Sequence, residues 1–208
     1  DGVLLKPLAD HGVRKPIGVD PATNIVQSIG DPRITVVNDF FSSAVAARIR
    51  QEHGPADLIV ANNVYAHIPE INDVTRGVAE LLAADGVFVF EVHHLGSVLR
   101  GLQYDMIYHE HLYYYSLLAL ENHLRRHGLV VFDLKRIPIH GGSGTSGVYN
   151  AIFTAPQVQN GGFTPIVAGS SYIQAVTFRS RGPEAYAVLT YSQSSDPSNP
   201  HFADMTEL

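Results

Sequence analysis

Short runs of continuously apolar residues alternate with segments of helical periodicity through the first two thirds of the chain. These runs are too short for helices, and strands buried on both faces of a parallel sheet have this composition. The segments between them supply the helical crossovers that parallel strands need. The pattern therefore predicts an α/β protein with a parallel sheet covered by helices on both faces. The predicted strands span residues 16–20, 34–37, 57–62, 86–92 and 129–134.

Capping residues bound the predicted helices. Ser42 or Ser43 is suited to begin a helix that Gly54 ends, and Ser116 to begin another that Gly128 ends. Serine side chains accept hydrogen bonds at helix starts, and glycine is favoured just after helix ends. Further helices are predicted over residues 3–8 and 72–83.

The composition changes from about residue 141, where Gly and Ser become frequent and helical periodicity disappears. Strands separated by turn residues are predicted there over residues 148–153, 172–178 and 185–190. We therefore expect two domains, one of residues 1–143 and a β-rich C-terminal segment of residues 144–208.

Charge and composition exclude several classes of protein. The 208 residues carry a net charge of −6 without a clustered basic face, so a nucleic-acid partner is not expected. The absence of cysteine excludes disulfides and thiolate metal sites. No apolar run approaches the ~20 residues of a membrane span, and the start does not resemble a signal peptide. We expect a cytoplasmic protein that does not bind membranes.

Polar residues follow the ends of the predicted strands, where ligands bind in open parallel sheets. Asp20 is placed to accept the hydroxyls of a ribose, although a helix N-cap before Pro21 accounts for it equally well. Asp39 is placed to pair with an adenine amino group while an aromatic ring packs on the base. Core packing is nevertheless the favoured role of Phe40 and Phe41. The same rule selects Asn62, Asn63 and Glu91.

The segment of residues 104–115 holds five tyrosines, two histidines and two acids. A packed core rarely contains such polarity and a solvated loop rarely so many aromatic rings, so a partly buried polar pocket is predicted. A histidine there has an unperturbed pKa near ~6.5, suited to accepting a proton at neutral pH. Glu110 is placed to orient a histidine, and Tyr108 to donate to a developing oxyanion. His67, beyond the 57–62 strand, is a candidate only through this segment.

A metal site is the alternative for His109 and His111. It is the less favoured prediction, because such closely spaced positions on one segment rarely supply three ligands. His93 and His94 give a weaker signal, and we expect them to line the same strand-end face.

Residues 104–116, with residues 62–69 and 137–143, resemble the S-adenosylmethionine-dependent deoxysugar C-methyltransferases. The resemblance covers residues 1–143 and implies a Rossmann-like class I methyltransferase core. In that family a base removes the proton beside a ketone of a nucleotide-linked sugar, and the enolate attacks the methyl group of S-adenosylmethionine. The resemblance implies that His111 is the base, with Tyr108 and Glu110 as partners and His67 near the keto oxygen.

The same resemblance assigns Gly2, Asp20, Asp39 and Asn62 to the cofactor side. It also shows departures from the family pattern. Only Asp1 and Gly2 match the end of the family's glycine-containing cofactor loop, and neither the preceding strand nor the cysteine-rich zinc region has a counterpart. We therefore expect an N-terminally truncated core.

Residues 147–152, 169–174 and 189–197 resemble the C-terminal part of penicillin-acylase-type hydrolases, including those that cleave acyl-homoserine lactones. Those enzymes use the N-terminal serine of a processed chain, which has no counterpart here. Ser194, Ser195 and Asp196 are therefore expected to form a structural loop, and His201 and Asp204 have no nucleophile to serve.

Residues 139–143 fit both resemblances, which suggests a junction there. The favoured hypothesis is a C-methyltransferase fragment or chimera with reduced activity. A fragment of an acylase-type amide hydrolase and a non-catalytic assembly without cofactor are the alternatives.

Overall fold

The structure, a computed structural model, describes residues 2–139, 147–156 and 186–190, with side chains described for residues 2–135. The helices and strands follow one another in the order α1 (Leu5–Asp10), β1 (Pro16–Val19), α2 (Thr23–Ser28), β2 (Thr35–Val37), α3 (Ser43–His53), β3 (Ala56–Asn62), α4 (Ile71–Leu81), β4 (Leu82–His93), α5 (Leu95–Arg100), α6 (Leu117–Arg126), β5 (Leu129–Ile139), β6 (Gly147–Pro156) and β7 (Tyr186–Thr190). A single 3-10 turn spans Tyr104–Met106, between α5 and α6.

The described strands form one seven-stranded sheet in the order β2-β1-β7-β3-β4-β6-β5. The α/β class is confirmed, and the five strands predicted within residues 16–134 run in one direction, as expected. The exception is one strand from the glycine- and serine-rich segment. β6 runs antiparallel to both of its neighbours, β4 and β5. β5 and β6 are consecutive along the chain, and antiparallel neighbours need no helical crossover between them.

The predicted caps are confirmed by hydrogen bonds. Ser42 Oγ accepts from the backbone N–H of Val45 at the start of α3, and Ser116 Oγ accepts from that of Ala119 at the start of α6. Gly54 ends α3 with a φ of +90°, which lies in the region that favours glycine. The helices α2 and α5 were not predicted, because six residues are too few for periodicity to appear.

Alternate residues of the central strands pack against helices on opposite faces of the sheet. Ile59 and Ala61 of β3 belong to the larger core, with Phe88 and Phe90 of β4 and residues of α3, α4 and α6. Val60 belongs instead to a smaller core around Leu5 of α1. The predicted covering of both faces is therefore confirmed.

Two strands of the glycine- and serine-rich segment, β6 and β7, lie within this same sheet. Both were predicted as strands, whereas the strand predicted at residues 172–178 lies outside the described residues. Within the described part of the chain, no helix has the length and apolar character needed to cross a membrane.

Candidate active site

The carboxyl ends of the parallel strands meet along one edge of the sheet. Val19 is in register with Val37 of β2, and Asn62 is in register with Glu91 of β4. Neighbouring strands lie about 4.8 Å apart, so the residues that follow them form a single row. Asp39, Asp20, Asn62 and Glu91 thus follow this edge in that order, as ligand-binding residues do in open α/β sheets.

Asp20 is buried at the end of β1, with 8% of its surface exposed. Its Oδ1 accepts a hydrogen bond from the backbone N–H of Ala22 at 2.8 Å, and its carbonyl accepts one from Asn38 Nδ2 at 2.9 Å. Ala22, not Asp20, is the N-cap of α2. The carboxylate therefore closes a turn through one oxygen, and the described contacts leave its second oxygen for a ligand.

Asp39 and Phe40 lie on the same side of the crevice, beyond β2. Asp39 pairs with Arg48, with Oδ2 3.3 Å from Nη2. The expectation that both phenylalanines pack in the core is wrong for Phe40, which is 75% exposed. It is right for Phe41, which packs against the larger core. An exposed ring beside an exposed carboxylate is the arrangement that a planar heterocycle would contact on one face and one edge.

The turn after β3 brings a second polar residue to the crevice. Asn63 adopts a φ of +52°, a backbone conformation that Asn tolerates better than most residues. Its Oδ1 is buried and has no hydrogen-bond partner among the described residues. A buried acceptor of this kind normally has a partner, so Asn63 is a candidate contact for a bound ligand.

Gly2 lies three residues before the start of α1, at a φ of +74°. Its carbonyl accepts from the backbone N–H of Lys6 at 2.9 Å, and a Cβ added to it would lie 3.3 Å from Ile29 Cγ2. Glycine is therefore required there by conformation and close packing. The described contacts link Gly2 to α1 and Ile29, and not to Asp20 or Asn62.

The tyrosine-rich loop docks onto the turn that follows β3. The backbone N–H groups of Leu112 and Tyr113 both donate to the carbonyl of Ala66, at 3.0 and 3.3 Å. The hydroxyl of Tyr115 donates to the carbonyl of Tyr65 at 3.2 Å. These hydrogen bonds bring two segments that are some 45 residues apart into one site at the carboxyl edge of the sheet.

His111 is held in that site in a single tautomer. It is 5% exposed, and its Nδ1 lies 2.9 Å from the carbonyl oxygen of Met106. A carbonyl only accepts, so Nδ1 carries the hydrogen and Nε2 of the neutral ring keeps its lone pair. The Tyr108 hydroxyl lies 3.2 Å from Nε2 and donates to it. Tyr108 itself is 39% exposed, so the pair opens toward solvent.

Two further histidine rings pack against His111. The ring centroid of His67 lies 4.8 Å from that of His111, and that of His93 lies 4.4 Å away. Burial, with the neighbouring His111 and His67, lowers the pKa of His93 to about 3. Burial and His111 also lower the pKa of His67. Both neighbouring rings therefore favour the neutral form.

The contact of His93 with His111 is a feature of the site that the sequence does not predict. The sequence predicts only that His93 lines the strand-end face, because no residue pattern indicates contact with His111. The signal available was its place at the carboxyl end of β4, on the face opposite to the buried Val92.

Glu110 takes a different place from the one its sequence position suggested. The residue is exposed, and its backbone hydrogen bond and its charge both raise the pKa of His67, against the larger effect of burial. The structure thus brings Glu110 to His67. His109 is exposed beside the ring of Tyr108. Among the described residues, no group of three His, Cys, Asp or Glu side chains is arranged to hold a metal ion.

Comparison with known proteins identifies two families in this chain. A family model described as a methyltransferase domain matches residues 1–134, and one described as penicillin amidase matches residues 95–208. The chain therefore belongs to the methyltransferase domain family, and its C-terminal part to the penicillin amidase family. The two matches overlap over residues 95–134, so they do not define a boundary near residue 143.

The chain is similar to a C-methyltransferase, NovU, of Streptomyces niveus, with 38% identity over 152 residues, 73% of this chain and 35% of the relative. It is also similar to the acyl-homoserine lactone acylase PvdQ of Pseudomonas fluorescens (strain Pf0-1), with 47% identity over 73 residues, 35% of this chain and 9% of the relative. The chain thus spans about a third of the first relative and about a tenth of the second.

Solved structures confirm the Rossmann-like methyltransferase fold. A SAM-dependent methyltransferase from Anabaena variabilis superposes with a TM-score of 0.54 at 14% identity, over 73% of this chain and 72% of that one. That neighbour is described as dependent on S-adenosylmethionine, the cofactor that the sequence predicts for this chain.

Proposed function

We propose that this chain carries the site of an S-adenosylmethionine-dependent C-methyltransferase that acts on a nucleotide-linked keto-deoxysugar, with His111 as the general base. The observation that carries the proposal is the hydrogen bond from His111 Nδ1 to the Met106 carbonyl. It presents the basic Nε2 atom toward Tyr108 and the open side of the pocket. A base preset in one tautomer is suited to removing a proton from carbon beside a ketone.

The chemistry requires a proton acceptor and hydrogen-bond donors for the enolate. His111 Nε2 accepts the proton from the carbon beside the ketone, while Nδ1 continues to donate to the Met106 carbonyl. The Tyr108 hydroxyl turns from Nε2 to the keto oxygen, where negative charge develops. His67, kept neutral by burial, is assigned a second contact near that oxygen. Glu110 supports His67 in this scheme.

S-adenosylmethionine supplies the electrophilic methyl group when it is bound. We assign the ribose hydroxyls to Asp20, whose second carboxylate oxygen is not used by described contacts. The adenine is assigned to Asp39 and the exposed ring of Phe40. Asn62 is assigned to the same crevice, together with its neighbour Asn63, whose buried Oδ1 has no hydrogen-bond partner among the described residues. Gly2 remains assigned to the cofactor side by resemblance. A cytoplasmic location belongs to this proposal, as do the limits 1–143 and 144–208 of the two family-related segments, which share one sheet.

The test compares His111→Asn with His109→Asn, a matched change at an exposed histidine two residues away. The measured quantity is the exchange of the proton beside the ketone of a nucleoside-diphosphate-linked keto-deoxyhexose with D2O, in the presence of S-adenosylhomocysteine. We expect His111→Asn to slow exchange at least ~100-fold, the contribution typical of a general base. His109→Asn should leave the rate within about twofold.

Calorimetric titration with S-adenosylhomocysteine separates the base from the cofactor site. Both variants should bind it as the unchanged protein does. Undiminished exchange in His111→Asn would move the base role to His67 or Glu110.

The second candidate function is acyl-amide hydrolysis, favoured by the 47% identity to the acylase PvdQ over 73 residues. Ser194, Ser195, Asp196, His201 and Asp204 lie outside the described residues. Hydrolysis of an acyl-homoserine lactone by the purified chain would place this function first.

A further inference from the structure

The strand β7 lies at the centre of the sheet although it comes from the far C-terminal part of the chain. Residues 186–189 pair in parallel with residues 16–19 of β1. Residues 186–190 pair in parallel with residues 58–62 of β3 on the other side. β1 and β3 have no ladder with each other in the described sheet. Without β7 they would lie two strand spacings apart, about 9.6 Å, with unpaired backbone groups along both.

The centre of this sheet is also the point at which the order of the strands along the chain reverses. From β1 the chain continues outward to β2, and from β3 it continues outward to β4 on the opposite side. In open α/β sheets the ligand crevice lies at such a reversal, beyond the carboxyl ends of the strands. Here that reversal lies at β7.

The register places the end of β7 between the residues assigned to the cofactor. Leu189 is level with Val19, which immediately precedes Asp20. Thr190 is level with Asn62. The backbone of β7 thus reaches the carboxyl edge between Asp20 on one side and Asn62 on the other.

We propose that the C-terminal segment supplies the central strand of the cofactor crevice, and that cofactor binding depends on residues 186–190 although the methyltransferase family match ends at residue 134. The segment is then a structural part of the methyltransferase site. The claim that cofactor binding depends on β7 rests on the proposed function, whereas the placement of β7 in the sheet is tested separately.

The placement is tested by cross-linking, for which a chain without cysteine is well suited. Val60→Cys with Val188→Cys puts two thiols on residues level in adjacent strands. Their Cα atoms should lie about 4.8 Å apart, within the range of a disulfide. The control is Val36→Cys with Val188→Cys, because Val36 is level with Gly18 and so lies one strand further away.

We expect mild oxidation of the dilute protein to close a disulfide in the Val60/Val188 variant, seen by mass and by a reducible gel shift. The Val36/Val188 variant should stay reduced. Failure of the first pair to close, or equal closure of both pairs, would overturn the placement of β7.

The dependence of cofactor binding on β7 is tested with Val188→Pro and its matched control Val188→Ala. Proline removes a backbone N–H and is excluded from central strands, whereas alanine keeps the ladder. We expect Val188→Pro to lower the affinity for S-adenosylhomocysteine at least ~10-fold by calorimetry, and Val188→Ala to change it less than about threefold. Unchanged affinity in Val188→Pro would overturn the dependence.

A third measurement does not require the proline variant to fold. The oxidised Val60/Val188 protein should bind S-adenosylhomocysteine at least as tightly as its reduced form, and loss of binding on closure would contradict the proposal. If the disulfide closes but the unchanged protein binds no S-adenosylhomocysteine, the proposed cofactor function fails while the placement of β7 stands. If the unchanged protein binds it but the disulfide does not close, the placement of β7 fails while the cofactor function stands.

Discussion

At the scale of single residues, burial determines which ionisable groups near the site are charged. Glu91 lies in register with Asn62 at the carboxyl edge of the sheet, and burial raises the pKa of Glu91 to about 7. His93, two residues later on the same strand, has its pKa lowered to about 3, mainly by burial. One acid and one base are thus both driven toward their neutral forms by burial at the carboxyl end of β4.

The raised pKa of Glu91 predicts a stability that falls as the pH rises. The folded state holds the proton more tightly than the unfolded chain, in which the carboxyl group has its ordinary pKa of 4.5. Folding is therefore penalised progressively between about pH 4.5 and pH 7, and fully above pH 7. We expect Glu91→Gln to raise the free energy of unfolding at pH 8 by an amount on the order of 3 kcal/mol, and to change it little at pH 4.5.

Thermal or urea unfolding at the two pH values measures this effect. Glu80→Gln is the control, because Glu80 is exposed and should shift stability little at either pH. An equal shift from Glu91→Gln at both pH values would show that packing, and not ionisation, is responsible.

The residue types of the 104–115 segment predict a polar pocket, and the structure brings Tyr108, His67 and His111 together, but the sequence does not predict the geometry of their contacts. The exposure of Phe40 and the contact of His93 with His111 depend on how distant segments approach each other. Local sequence holds little information on such approaches, which is why both were missed.

At the scale of elements, α3 and α4 are in such close contact that there is no room for a side chain at Gly77 of α4. A Cβ added to Gly77 of α4 would lie 3.0 Å from the carbonyl oxygen of Ser42 and from Cα of Ser43. Asp73 of the same helix accepts from the Ser43 hydroxyl at 2.7 Å and from its backbone N–H at 2.9 Å. The start of α3 is therefore fixed against α4 by contact with the backbone itself.

This contact predicts that Gly77→Ala destabilises the protein, although helix propensity alone would favour alanine over glycine. Alanine in a helix interior is favoured over glycine by about 1 kcal/mol. Overpacking typically costs about 1–3 kcal/mol, and backbone atoms yield less readily than side-chain ends. We expect a net loss of about 1 kcal/mol in urea unfolding. Glu80→Ala, at an exposed position of α4, reports propensity without the clash and should be neutral or stabilising.

Elements with strong local signals were predictable from sequence, and those without them were not. α3 and α6 have serine caps and glycine ends, and both were located within a residue or two. The strands β6 and β7 were also expected as strands. Their neighbours in the sheet were not, because pairing over more than 120 residues, as between Val188 and Val60, leaves no local pattern.

At the scale of the whole molecule, the position of β7 predicts a single cooperative unfolding unit. Removing β7 would expose backbone groups in the centre of the sheet, so the two family segments should not unfold separately. We expect one calorimetric transition whose van't Hoff and calorimetric enthalpies agree. S-adenosylhomocysteine at ~100 times its Kd should stabilise that whole transition, by about 2.7 kcal/mol.

Two resolved transitions, of which only one shifts with ligand, would show that the segments fold independently. The Val60/Val188 pair serves as a reference here, since its oxidised form should also melt in one transition.

The hydrogen bond between His111 and residue 106 involves the main chain and not the methionine side chain. Replacing Met106 with leucine would leave the acceptor in place, whereas inserting or deleting a residue between positions 106 and 111 would remove it. The orientation of the proposed base, His111, is thus encoded in the length and path of a loop. Transfer of this histidine to another scaffold would therefore require the whole six-residue segment 106–111. A comparison of side chains alone would not show whether the backbone geometry of that segment had been preserved.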